Sequence, residues 1–238
     1  MNAPYKGNDT MQIVRWHRFA DTQTLQTEAV RRIRVAADSA IAARGVFRIV
    51  LSGGNTPRGV YNALCERPAN WPEWQVWFGD ERCLPPNDPQ RNSRMARDTL
   101  LDHVPIPSQN IRAIPAEQGA EDGAQAYAQS LRGVGEFDLV LLGLGEDGHT
   151  ASLFPGHDWG AATDAPDTLA VFEAPKSPSE RVSLSAARLS NARAVLFLVE
   201  GEAKRDALTA WRRGDDIPAR AITPSAGADV LITTSLLD

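Results

Sequence analysis

The chain has 238 residues, 42% of them hydrophobic, enough to bury a substantial core in one large α/β domain or two small ones. A net charge of −5 argues against nucleic acid and anionic membrane as partners, so an anionic ligand would need local arginines, lysines and amides. Cys65 and Cys83 are too few for a disulfide framework, lack metal-site spacing, and read as reduced structural thiols. No apolar run approaches the ~18–20 residues of a membrane span, and the first residues lack a signal-peptide core. A soluble, cytoplasmic protein is expected, as a monomer or weak homodimer.

Residues 1–10 are polar and read as a loose tail, with one catalytic α/β domain over 11–238. Ile13 to Phe19 reads as a first strand. Asp21 or Thr22 then caps a long helix in which Leu25, Ala29, Ile33, Ala36, Ala37, Ala40 and Ile41 recur at three- and four-residue steps, and Gly45 stops it. Val46 to Leu51 is a buried-type strand running into Ser52-Gly-Gly-Asn-Thr56, and Pro57 is placed at the first position of the next helix, which ends before Pro68. Trp74 to Phe78 is a strand, followed by Gly79-Asp-Glu-Arg82 and the proline-rich stretch Leu84 to Pro89. Helices are expected at about Ser93 to Leu101 and at Ala120 to Leu131. Phe137 to Leu142 is a nearly continuous apolar run, the pattern of a strand covered on both faces. Further strands are read at Leu169 to Phe172, Val182 to Leu184, Val195 to Val199 and Val230 to Thr233, with a helix over Glu202 to Arg213 and a brief extended piece at Ala221-Ile222. Strands alternating with helices imply a mostly parallel sheet with helices on both faces.

Three segments carry chemistry. At Ser52 to Thr56, a strand, a glycine-rich turn and a helix start come in the order that makes an anion site, without the lysine and glycine spacing of a Walker loop. At Asp80-Glu81-Arg82, three charged residues directly after an aromatic strand are expected to leave the core at its rim, where Arg82 can hold a phosphate or carboxylate through paired hydrogen bonds. In Gly143-Leu-Gly-Glu-Asp-Gly-His-Thr150, three glycines end a buried strand and expose Glu146, Asp147 and His149. Their spacing matches the dinucleotide fingerprint G-x-G-x-x-G. However, the match falls late in the chain, and Pro155-Gly156 follows too soon for the crossover helix. The glycines are read instead as shaping a substrate loop that aims His149, with Asp147 accepting a hydrogen bond from its ring. His149 and His157 have no third ligand at a credible spacing, so neither a metal nor a cofactor is expected. No Gly-x-Ser-x-Gly elbow is present to support a serine acyl-enzyme.

Taken in order, L-S-G-G-N-T-P at 51–57, F-G-D-E-R-C-L-P at 78–85, the Asn92-Ser93 region, L-L-G-L-G-E-D-G-H-T-A-S-L-F-P-G at 141–156, Arg181-Val-Ser-Leu-Ser185 and Gly201-Glu-Ala-Lys204 resemble the 6-phosphogluconolactonase family. The resemblance implies a fold shared with glucosamine-6-phosphate deaminases and ribose-5-phosphate isomerases. It also implies metal-free hydrolysis of 6-phospho-D-glucono-1,5-lactone in the oxidative pentose phosphate pathway. His149 is then the base for direct attack by water, with Asp147 orienting it. Ser52, Gly53, Gly54, Asn55, Asp80, Arg82 and Asn92 are the expected substrate-binding set, joined on the strength of the resemblance by Arg181 and Lys204. Two departures stand out: Arg91-Asn92-Ser93 where the family often has serine before asparagine, and no tryptophan in Ala228 to Ile232. Two rival readings are a sugar-phosphate isomerase or deaminase on the same fold, and a non-catalytic sugar-phosphate sensor. The sensor would need a DNA-binding module that this chain has no room for.

Overall fold

The apolar runs assemble into one parallel sheet. In the structure, a computed structural model that describes residues 12–236, six strands are hydrogen-bonded in parallel: β1 (Val14–Phe19), β2 (Phe47–Leu51), β3 (Trp74–Phe78), β5 (Leu139–Leu142), β8 (Val195–Val199) and β9 (Ala228–Thr233). Their order is β1-β9-β8-β5-β2-β3. Every residue of β5 and β8 is buried, as a sheet covered by helices on both faces requires. The tail expected over residues 1–10 lies outside the described residues.

Helix α1 (Thr22–Arg44) begins on a capping box, in which the Asp21 carboxylate accepts from Thr24 N at 2.8 Å, and ends on Gly45 at φ 71°. It packs Leu25, Ala29, Ile33, Ala37 and Ala40 into the core, while Ala36 and Ile41 sit at its margin. Helix α2 (Asn55–Cys65) starts earlier than the sequence implies, which puts Pro57 at its third position rather than its first. Proline fits there too, because the first four helical N–H groups have no intrahelical partner. Two buried tyrosines pin strand ends. Tyr61 Oη donates to Ser52 O at 2.8 Å and accepts from Ser52 N at 2.9 Å, and Tyr127 Oη bonds Phe78 O and N at 3.0 Å each. Burial pushes both phenols well above their ordinary range.

The chief correction concerns the second sheet. Asp80-Glu81-Arg82 is not a charged rim but a strand, β4 (Asp80–Arg82), in an antiparallel sheet ordered β4-β7-β6 with β6 (Thr168–Val171) and β7 (Arg181–Leu184). Asp80 and Glu81 are buried and Arg82 is half-buried. Helix α4 (Ala120–Ser130) covers this sheet, and Thr168 Oγ1 donates to Ala124 O at 2.8 Å.

Other boundaries moved less. The helix expected over 93–101 is α3 (Asn92–Ala96) followed by a wider π turn at Arg97–Leu101. Phe137 makes only an isolated bridge with Ala192 before β5 begins. After α5 (Ala186–Ser190), the helix expected from Glu202 divides into a 3₁₀ turn, Glu202–Lys204, and α6 (Arg205–Arg213). Ala221 closes a 3₁₀ turn, Pro218–Ala221, rather than an extended piece.

Candidate active site

From β2 the chain moves outward to β3, then returns to the other side of β2 to form β5. Such a reversal opens a crevice beyond the carboxyl ends of the two central strands, where open α/β sheets bind ligands. The Ser52 turn leaves the end of β2 and the His149 loop leaves the end of β5. Between them lies a cavity of about 310 Å³ lined by Ser52, Gly53, Gly54, Asp80, Arg82, Asn92, His149, Arg181 and Lys204. Nine of the eleven residues singled out in the sequence therefore share one wall-to-wall space. Asn55 lines an adjoining cavity of about 710 Å³, which shares Gly53, Gly54 and Lys204 with the first. Asp147 lines neither, but it touches His149 directly.

The His149 loop is tied tightly. Gly145 N donates to His149 O at 2.7 Å, and Thr150 Oγ1 donates to Gly143 O at 2.9 Å. Ala151 takes a left-handed φ of 49°, an uncommon conformation for a residue with a Cβ and a form of local strain found at functional loops. A Cβ on Gly145 would stand 2.0 Å from His149 Nδ1, so glycine is what leaves room for the ring. The ring rests on the buried Phe154, with centroids 4.8 Å apart.

His149 Nδ1 lies 2.5 Å from Asp147 Oδ1, which also accepts from His149 N at 3.1 Å. Burial opposes ionisation of Asp147, but the His149 charge and these hydrogen bonds outweigh it and hold the carboxyl below its usual range. An ionised carboxylate only accepts, so Nδ1 is the donor in this contact, and a neutral ring would present its lone pair at Nε2.

The opposite wall follows from strand alternation. Side chains two apart on β4 share a face, so Asp80 and Arg82 turn to the cavity. Glu81 turns away to accept from Asn92 N and Ser93 N at 2.8 Å each, at the start of α3. Arg82 stands directly opposite Arg181 in the β4–β7 register. Facing like charges on one sheet face are unfavourable, and an anion between them relieves the repulsion. Arg82 Nε is buried without a hydrogen-bond partner among the described residues, while its Nη1 donates to Gln90 O. Arg181 Nε and Nη2 instead donate to Pro178 O and Lys176 O, at 3.0 and 2.7 Å. Burial pulls the Arg181 and Lys204 pKa values below their ordinary ranges.

Asp80 and Asn92 reach the cavity but are largely engaged with neighbours. Asn92 Nδ2 donates to Asp80 O and Oδ1 at 3.0 Å each, and Ser152 Oγ donates to Asp80 Oδ2 at 2.6 Å. A Cβ on Gly53 would meet Asn92 Oδ1 at 2.0 Å, so the glycine turn lies flush on this cluster. Ser52 N is engaged by Tyr61, which removes one of the four turn residues expected to offer an amide. Sequence reasoning passed over Lys176, Ser177 and Thr150 as lining residues. Lys176 and Ser177 come from an irregular loop with no periodic signal, and Thr150 was visible only as a neighbour of His149.

No helix among the described residues is long and apolar enough to cross a membrane. Among the same residues, no group of three or more His, Cys, Asp or Glu is arranged to hold a metal ion.

The chain is 37% identical to a 6-phosphogluconolactonase of Streptomyces coelicolor over 93% of its length and 89% of that protein's. A solved 6-phosphogluconolactonase from Thermotoga maritima superposes with a TM-score of 0.83 at 25% identity, covering 93% of this chain and 99% of the other. A monomeric glucosamine-6-phosphate deaminase shares the fold, with a TM-score of 0.78 at 20% identity over 94% and 98% of the two chains. The sequence pattern of the family described as glucosamine-6-phosphate isomerases/6-phosphogluconolactonase matches residues 20–231, and this chain belongs to that family.

Proposed function

We propose that the protein hydrolyses 6-phospho-D-glucono-1,5-lactone to 6-phospho-D-gluconate in the oxidative pentose phosphate pathway, with His149 as the base. The observation that carries this reading is the Asp147–His149 pair at one side of a cavity whose other side sets Arg82 opposite Arg181. The curated relatives named as 6-phosphogluconolactonases support the substrate.

In this mechanism the phosphate sits against Arg82, Lys204 and the amides at the start of α2, so the sugar's C1 lies beside His149. A water is held on Nε2. As its oxygen attacks C1, Nε2 takes the proton and the carbonyl oxygen gains negative charge. Collapse of this intermediate breaks the bond from C1 to the ring oxygen, and the imidazolium returns its proton to that oxygen. The products are a hydroxyl and a carboxylic acid, which ionises. Asp147 keeps the ring oriented and stabilises the imidazolium between the two proton transfers. Asp80, Asn92 and Ser152 hold the Ser52 turn, β4 and the His149 loop at fixed spacing, with the free faces of Asp80 and Asn92 turned to the sugar.

The test is turnover of freshly made 6-phosphogluconolactone beside glucosamine 6-phosphate. Lactone hydrolysis that disappears in His149→Ala is expected. Turnover of the amino sugar alone would replace this reading with the deaminase one.

A further inference from the structure

The loop between β6 and β7 brings a fourth cation to the cavity. Lys176 and Ser177 line it beside Arg82, Arg181 and Lys204. The loop is held from below, because the buried Arg181 directs Nη2 to Lys176 O and Nε to Pro178 O. Arg181 thus fixes the backbone that carries Lys176, and its fork is largely closed to substrate. The Lys176 side chain is 56% exposed, and its ammonium pairs with Glu146 Oε2 at 3.2 Å. Glu146 belongs to the His149 loop, so this one ion pair bridges the cavity mouth from the phosphate wall to the base wall. Glu146 is drawn below the usual carboxylate range by Lys176 first and by Lys204 as well.

Resting on the lactonase reading, we infer that Lys176 is a specificity-determining contact for the substrate's phosphate, with Glu146 as its resident counter-ion. A phosphate dianion offers Lys176 more charge and more acceptor oxygens than one solvated carboxylate does, so the ammonium turns from Glu146 to the phosphate on binding. A neutral sugar lactone offers nothing to draw it away. The pair therefore favours phosphorylated over unphosphorylated substrate, and as a rim charge Lys176 acts mainly on capture.

The experiment compares wild type, Lys176→Met and Glu146→Gln on 6-phosphoglucono-1,5-lactone and glucono-1,5-lactone at low and high salt. Lys176→Met is expected to raise KM for the phosphorylated lactone roughly 3- to 10-fold with kcat little changed, and to flatten the salt dependence. Its effect on glucono-1,5-lactone is expected to be several-fold smaller. Glu146→Gln releases Lys176 and should lower KM for the phosphorylated lactone about twofold or more. Equal losses on both lactones would make the loop merely structural, and an unchanged KM in Lys176→Met would remove Lys176 from the site; either overturns the inference. Absence of lactone turnover in wild type would instead overturn the functional reading beneath it.

Discussion

The two sheets differ in what they are made of and in what they contribute. The six-stranded sheet is built from apolar strands such as Leu139–Leu142 and Val195–Val199, and it projects its functional groups from the loops beyond its strands. The three-stranded sheet carries Asp80, Arg82 and Arg181 within the strands themselves, with Arg82 and Arg181 in register. The first is a frame whose loops carry the proposed base, His149, along with Lys204 and the start of α2. The second is a charged wall whose arginines are proposed to face the phosphate. On this view stability belongs mostly to the large sheet, and anion affinity is shared between the loops beyond it and the arginines of the small one.

The comparison can be broken most sharply at the base. His149→Ala should lower kcat by roughly 10²–10⁴-fold, the usual worth of a positioned general base. Binding of 6-phosphogluconate, measured calorimetrically, should persist because the proposed anchor groups, Arg82, Lys204 and the α2 amides, are left in place. A variant that also loses product binding would show the two functions are not divided as described.

Next comes the frame. Leu196 is 2% exposed on β8, and Leu196→Ala should cost about 2–5 kcal/mol of stability by leaving a cavity. Denaturant titration measures the loss. The fraction that remains folded should keep near-normal KM, since none of the proposed anchor groups is replaced.

A smaller effect concerns pH. Burial lowers the Lys204 pKa, Glu146 opposes the change and Lys176 adds to it. As pH rises, Lys204 therefore loses its charge before an ordinary lysine, near 10.4, would. Affinity for 6-phosphogluconate should weaken on the alkaline side for that reason, and Lys204→Arg should flatten the decline because a guanidinium stays charged. An alkaline profile identical in the two proteins would remove Lys204 from the anchor.

The smallest effect lies at the frame's edge. Asp229 on β9 accepts from Arg15 and contacts His17 on β1. Although burial pushes its pKa up, these partners and Arg32 bring it from 3.8 to about 2. A depressed folded pKa contributes stability that is present above the unfolded value and is lost as pH falls through the folded one. Wild type should therefore lose a modest increment between about pH 4 and pH 2, reduced by solvent screening. Acid titrations should show that Asp229→Asn lacks this step.

The frame was legible in the sequence because its central strands are short apolar runs and its helix signals are local. Asp21 and Gly45 bound α1 without help from the rest of the chain. The charged wall was not legible. A three-residue strand reading Asp-Glu-Arg has no apolar pattern, and it is a strand only because β7, about a hundred residues later, offers it hydrogen bonds. For the same reason the burial of Glu81 went unseen: its partners, the amides that open α3, come from another segment. His149 and Asp147 were found because they lie two residues apart beyond an obvious buried strand. Lys176 was missed because its place depends on carbonyl contacts from Arg181 that no spacing announces.

The division between base and anchor is tested most directly by Arg82→Ala, assayed with both 6-phosphoglucono-1,5-lactone and glucono-1,5-lactone. Losing a charge-assisted hydrogen bond of ~1.5–3 kcal/mol should raise KM for the phosphorylated lactone roughly 10- to 150-fold while kcat changes less. Arg82→Lys should recover only part of this, since an ammonium cannot reproduce the fork. The loss on glucono-1,5-lactone, which has no phosphate to hold, should be far smaller. An equal loss on the two lactones would place Arg82 at the reacting carbon or in the loop's framework, and would contradict the account.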